Sequence, residues 1–186
     1  MMEGEPSNKT EIYATLAGRV DDAMVQRLFN QIAGAVSNGV QTLHLMIQST
    51  GGIIGDGIAL HNYLKNLPID IIAYNTGMVQ SIAVVMFLAA RKRKASRTAT
   101  FMIHKATFYG GSAATSAQLS AVTQSLVVDD ARIESILKEH IRMPEEKWSV
   151  HRFADLFITA HEALEFGLVN EIADFAPPPG ATLINI

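Results

Sequence analysis

The chain has 186 residues, enough for one domain with a core of its own. Hydrophobic residues at 48% and charged residues at 18% exclude a disordered chain; the absence of cysteine excludes disulfides, cysteine-held zinc, iron–sulfur clusters and thiol nucleophiles. Fifteen Lys and Arg against 18 Asp and Glu leave a net charge of -3, which gives no general nucleic-acid-binding surface.

Residues 1–10 are polar and have no signal-peptide layout. Glu11–Ala17 reads as a strand. Asp21 or Asp22 caps a helix in which Met24, Leu28, Ile32 and Val36 recur at helical spacing, ended by Asn38-Gly39. Thr42–Gln48 is a strand, Ser49-Thr50-Gly51-Gly52 a turn, and about Ile54 to Asn66 a helix. Ile69–Tyr74 is the next strand, Asn75–Gln80 a turn, and Ser81–Ala90 an apolar helix. Arg91–Lys94 then read as solvated cations that complement that helix's C-terminus. Thr98–His104 is a strand, followed by a small-residue loop and a long helix from about Thr115 to Ile141. Thr159 and Glu162 form a capping box for a short helix ending at Gly167. Leu168–Ile172 is a last strand, and the Pro-rich end reads as irregular.

Ile71 to Ala90 is twenty residues without a charge, long enough for a membrane span. But Asn75, Thr76, Gly77, Gln80 and Ser81 sit at its centre, where a span tolerates them least. A buried strand, a turn and a buried helix explain it better, so a soluble, cytoplasmic chain with no membrane partner is expected. Strands alternating with helices imply crossover units and a mostly parallel α/β sheet.

Three places carry side chains suited to chemistry. At Thr76–Ser81 a strand ends, the chain turns near a glycine, and a serine opens a buried helix. This has the logic of a nucleophile elbow, an exposed hydroxyl beside free backbone donors. Taken alone, it reads better as a serine N-cap. Ser49–Gly52 ends the preceding strand, and its two glycines let backbone N–H groups approach a ligand. His104 ends a strand after Phe101-Met102-Ile103. By itself it reads as a core histidine. No histidine pair has the spacing of a zinc site, no phosphate loop is present, and no cofactor is expected. Asp155 is either a surface carboxylate or the group that orients an imidazole.

Together these pieces resemble ClpP, the proteolytic subunit of the Clp proteases, over about Glu11 to Ile172. The family's Ser-Pro-Gly-Gly turn appears as Ser49-Thr50-Gly51-Gly52, and its Gly-Met-Ala-Ala-Ser motif as Gly77-Met78-Val79-Gln80-Ser81. Met102-Ile103-His104 stands intact. Asp155 precedes Phe157, Thr159, Ala160, Glu162, Ala163, Gly167 and Leu168 at the family's spacing.

The resemblance implies a ClpP/crotonase-like fold of repeated β-β-α crossover units with a projecting handle helix. It implies a serine endopeptidase acting on peptides or unfolded proteins. Ser81 would be the nucleophile, His104 the base and Asp155 its orienter. Backbone N–H groups of Gly52 and Ile82 would form the oxyanion hole. Gly51, Phe108, Tyr109 and Gly110 would bind substrate. It further implies homo-oligomeric stacked heptameric rings and ATP dependence through a partner ring ATPase. Against that partner, only about ten polar residues precede the first strand, where the family carries an axial loop and a longer leader. The expected organisation is a loose segment 1–10, a peptidase domain 11–175 with its handle at about 106–143, and a tail 176–186. Three departures stand out: Thr50 for proline, Gln80 for alanine, and Lys105-Ala106 for the usual Gln-Pro. The alternatives are a crotonase-type acyl-CoA enzyme, which needs no Ser–His–Asp set, and a catalytically silent ring subunit.

Overall fold

The computed structural model of the protein describes residues 10–108, 110 and 113–186. The expectations for residues 1–9, for Tyr109 and for the rest of its loop at Gly111 and Ser112 lie outside the described residues.

The order is β1 (Glu11–Ala17), α1 (Asp22–Ser37), β2 (Thr42–Ser49), α2 (Ile54–Lys65), β3 (Asp70–Gln80), α3 (Ile82–Phe87), β4 (Lys92–Ala95) and β5 (Thr100–Ile103). Then come α4 (Ser116–His140), α5 (Glu145–His151), β6 (Leu156–Thr159), α6 (Ala160–Glu165), β7 (Glu171–Ile172) and β8 (Leu183–Asn185). The sheet runs β6-β5-β3-β2-β1-β8, with β4 pairing β3 and β7 to the side of that path. Every pair is parallel except β5 with β6. This is the mixed, mostly parallel sheet with crossover helices that the alternating pattern predicts. Among the described residues no helix is long and apolar enough to cross a membrane.

The core follows the two periodicities. Leu43, Leu45 and Ile47 of β2 point inward at period two. Met24, Leu28 and Ile32 of α1 face them at helical spacing, and Asp21 accepts the Met24 N–H at 2.9 Å to start the helix. All six residues of α3 are buried, because the sheet lies on one side and α2 on the other. A Cβ at Gly57 would sit 2.3 Å from the Ile82 side chain, so only glycine lets α2 come this close.

Four local readings of the sequence are corrected. Asn75–Gln80 is not a turn but the second half of an eleven-residue β3. Ile72–Asn75 pairs with β4, and Met78–Gln80 pairs with β5 instead. The residues that look like turn formers serve that change of partner. Asn75 donates to Thr100 C=O at 2.9 Å and accepts the Gly77 N–H at 3.1 Å, while Gln48 Oε1 accepts the Met78 N–H at 3.0 Å.

Arg91–Lys94 is not a solvated run. Lys92–Ala95 is β4, and Arg93 is 8% exposed, donating to the carbonyls of Leu168 at 2.7 Å, Ala90 at 2.8 Å and Gly167 at 3.1 Å. Leu168–Val169 is buried loop, and only Glu171–Ile172 is strand. The Pro-rich end is not wholly irregular either. Leu183–Asn185 adds to β1, and Ile186 N–H donates to Thr15 C=O at 2.8 Å.

Helix α4 is the long helix expected. Thr115 and Gln118 make a full capping box at its start. Of its 25 residues only Leu137 is buried, with Ile133 and Ile136 packed on the core. Leu119, Val127 and Val128 stand exposed at different angles around the helix.

Candidate active site

Two chain turns meet where β2 and β3 end. Ser81 follows β3 with φ 56 and ψ -133, and it is the one non-glycine residue at positive φ among the described residues. Its neighbours force this. The Ser81 N–H donates to Met102 C=O at 2.7 Å, which holds it to β5, while its C=O already accepts the Val84 N–H at 3.0 Å and begins α3. Such a conformation costs about 1–3 kcal/mol and is characteristic of functional sites. The hydroxyl does not cap α3. It meets His104 Nε2 at 2.8 Å instead. The ordinary N-cap reading of this serine is therefore incorrect, and so is the core-residue reading of His104.

The opposite wall is Gly51-Gly52. Gly51 has φ 95, and a Cβ there would lie 2.6 Å from Ser81 Cβ. A Cβ on Gly52 would lie 2.0 Å from Val20 O. The loop is pinned by Val20 N–H to Gly51 C=O at 3.0 Å, Ile53 N–H to Val20 C=O at 2.8 Å, and Gly51 N–H to Ser49 Oγ at 3.1 Å. Among the described residues, the Gly52 N–H donates to nothing in these turns. Ile82 N–H opens α3 and has no helical acceptor. Both amides belong to residues that line the cavity with Ser81.

His104 is the first residue after β5. The segment behind it is fastened to α4 by the pair of residues that departs from the family pattern. Ala106 N–H donates to Asp130 Oδ1 at 2.8 Å, a bond that a proline cannot make. Lys105 reaches Glu134 at 3.1 Å and Asp130 at 4.0 Å. Hydrogen bonds from Lys138 and then Lys105 hold the Glu134 carboxyl down at about 2. Buried His151 lies behind β5, against the Ile103 backbone, and burial lowers its pKa. Three further histidines are structural: His61 bonds Val85 C=O at 2.8 Å, His44 bonds the Tyr74 hydroxyl at 2.9 Å, and His140 bonds Ile136 C=O at 3.0 Å, while His161 is exposed.

Asp155 lies just before β6. The antiparallel register ends with Ile103 paired to Leu156, one residue short of His104 after β5 and of Asp155 before β6. Its side chain is exposed, and no hydrogen bond joins it to the imidazole. Phe108 is exposed, and a Cβ on Gly110 would meet the Phe108 ring at 2.4 Å. Thr107 and Arg19, which carry no motif signal, line the cleft at Ser81. A cavity of about 290 Å³ runs inward from Ser81 and His104, walled by Ile54, Ile82, Val85, Ile133 and Leu137. Ile133 and Leu137 come from α4, so the handle's base forms part of the wall. Among the described residues no three His, Asp or Glu side chains converge as a metal site.

A model of the Clp protease family matches residues 8–175. The chain belongs to the Clp protease family. It is 26% identical over 167 residues to the ATP-dependent Clp protease proteolytic subunit 2 of Corynebacterium glutamicum, covering 88% of this chain and 82% of that one. Its fold is similar to that of a point mutant of ClpP1 from Listeria monocytogenes, with a TM-score of 0.77, 21% identity, and coverage of 88% of this chain and 91% of the other. A ClpP-like serine peptidase fold thus presents Ser81, His104, Gly51, Gly52 and Ile82 around one cleft.

Proposed function

We propose that this Clp-family chain is a serine endopeptidase that cleaves peptides or unfolded proteins inside an oligomeric chamber. The observation that carries it is the 2.8 Å contact between Ser81 Oγ and His104 Nε2, with the hydroxyl held on a strained elbow. The serine proton passes to His104 Nε2 as Oγ attacks the carbonyl carbon. The imidazolium then protonates the leaving amine, and a second cycle with water releases the acyl group. Proton transfer of this kind contributes about 10²–10⁴ in rate. The Gly52 and Ile82 N–H groups receive the developing oxyanion, each worth about 10²–10³ in kcat. Asp155 turns toward His104 to accept a hydrogen bond from Nδ1–H, fixing the tautomer that leaves Nε2 free. The cavity walled by Ile54, Ile82, Val85, Ile133 and Leu137 takes the side chain on the acyl side, and Gly51, Phe108 and Gly110, with Tyr109 between them in the sequence, would bind the extended substrate.

The exposed apolar side chains of α4, Leu119, Val127 and Val128, support its role as a handle between stacked rings. The domain limits proposed are 11–175, with the handle at about 106–143. ATP dependence, named in the Corynebacterium relative, would come from a separate ring ATPase, because the sequence has no phosphate loop. The paired Ser81 and His104 have no use in crotonase-type chemistry, so that alternative is not favoured. The test is Ser81→Ala: peptide hydrolysis is lost while light scattering gives the wild-type mass. Normal turnover by the variant overturns the assignment.

A further inference from the structure

Beside that cavity lies a second, more open space of about 510 Å³, lined by Arg19, Thr50, Gly51, Gly52, Ser81, His104 and Thr107. It shares Ser81 and His104 with the first cavity but has no apolar side chain in its wall. Arg19 also lines the first cavity, so this residue borders both spaces.

The charges around this junction are unequal. Lys105, on the cavity wall, is neutralised by Glu134 at 3.1 Å. Asp129, also on the wall, is neutralised by Arg132 at 3.0 Å. Arg19 is exposed and has no carboxylate partner among the described residues. Among the described residues lining the two cavities, Arg19 is thus the charged side chain without an ion-pair partner. Its backbone is fixed, since Val20 on one side of it is locked to Gly51 and Ile53 by hydrogen bonds of 3.0 and 2.8 Å. A guanidinium held this way is a fork for a carboxylate. A cleft with walls of low dielectric strengthens its field at the point where substrate enters.

The geometry points to Arg19 as a specificity-determining residue that selects peptides bearing a carboxylate within two residues of the scissile bond. This rests on the peptidase reading for the identity of the substrate, and on the charge balance of the cleft for the preference. Arg19 takes no part in bond making or breaking. It anchors the substrate's Asp or Glu side chain, or a nearby chain-terminal carboxylate, beside Ser81.

The test uses the full-length protein and matched fluorogenic peptides. The peptides carry Asp or Asn at each of the two positions on either side of the cleaved bond. The expected ratio of kcat/KM for Asp over Asn is about three- to tenfold at the preferred position, shrinking as salt rises. Arg19→Gln brings the ratio to about one, and Arg19→Glu inverts it. Binding of the same peptides to Ser81→Ala, read by fluorescence anisotropy, gives the preference independently of hydrolysis. An equal ratio in both readouts at every position, or a preference that survives in Arg19→Glu, overturns the assignment. A binding preference without any hydrolysis by the wild type upholds Arg19 and overturns the peptidase reading instead.

Discussion

Replacing Ser81 by glycine should give a more stable protein than replacing it by alanine. Both substitutions remove the hydroxyl and its 2.8 Å contact with His104, so the difference between them isolates the backbone. At φ 56 and ψ -133 a Cβ is strained, at about 1–3 kcal/mol. Glycine releases that strain but loses about 0.4–1 kcal/mol through the greater freedom of its unfolded chain. The balance favours Ser81→Gly over Ser81→Ala by about 1 kcal/mol, or about 2–4 °C in Tm for a chain of this size. Urea and thermal unfolding would be compared at one protomer concentration, because assembly links stability to concentration. If Ser81→Gly proves no more stable than Ser81→Ala, the elbow is not strained and the account of how the fold aims this hydroxyl fails.

Three further outcomes follow from the geometry. Gly52→Ala puts a Cβ 2.0 Å from Val20 O, so the loop must move its N–H away from Ser81, and kcat falls by about 10²–10³; unchanged steady-state kinetics would contradict the donor role. Ala106→Pro restores the family residue but removes the N–H that Asp130 accepts at 2.8 Å, lowering stability by about 1–3 kcal/mol; an unchanged urea midpoint would show that the tether carries no weight. His61 and His151 are buried with lowered pKa values, and Glu134 and Glu162 are held at about 2, so in all four the unfolded chain binds protons more tightly. Their contribution to stability is complete above about pH 6.5, declines first as the histidines charge, and declines again below about pH 4.5; a Tm that stays flat from pH 7 to 3 would contradict this.

The site was more legible in the sequence than parts of the fold were. Ser81 and His104 sit in contiguous motifs, each at the end of an apolar strand, and their order along the chain carries information. What no local pattern shows is the positive φ of Ser81, which comes from its bond to Met102 and the start of α3 rather than from its own sequence. Asn75 and Gly77 look like turn residues because the groups that keep them in β3, on Gln48 and Thr100, are far away in the chain. Arg93 looks solvated for the same reason, since the carbonyls of Gly167 and Leu168 arrive only when the chain folds back. Four-residue β6 is too short to stand out in the sequence and exists by pairing with β5, directly after Asp155. Arg19 reaches the cleft only through the pairing of Val20 with Gly52.

The most direct test of an activated serine is labelling with a fluorophosphonate, read by intact mass on wild type and Ser81→Ala. A single adduct on the wild type, absent from the variant, is the predicted result. An unlabelled wild type, or an adduct that persists without Ser81, would contradict the claim that His104 activates this hydroxyl.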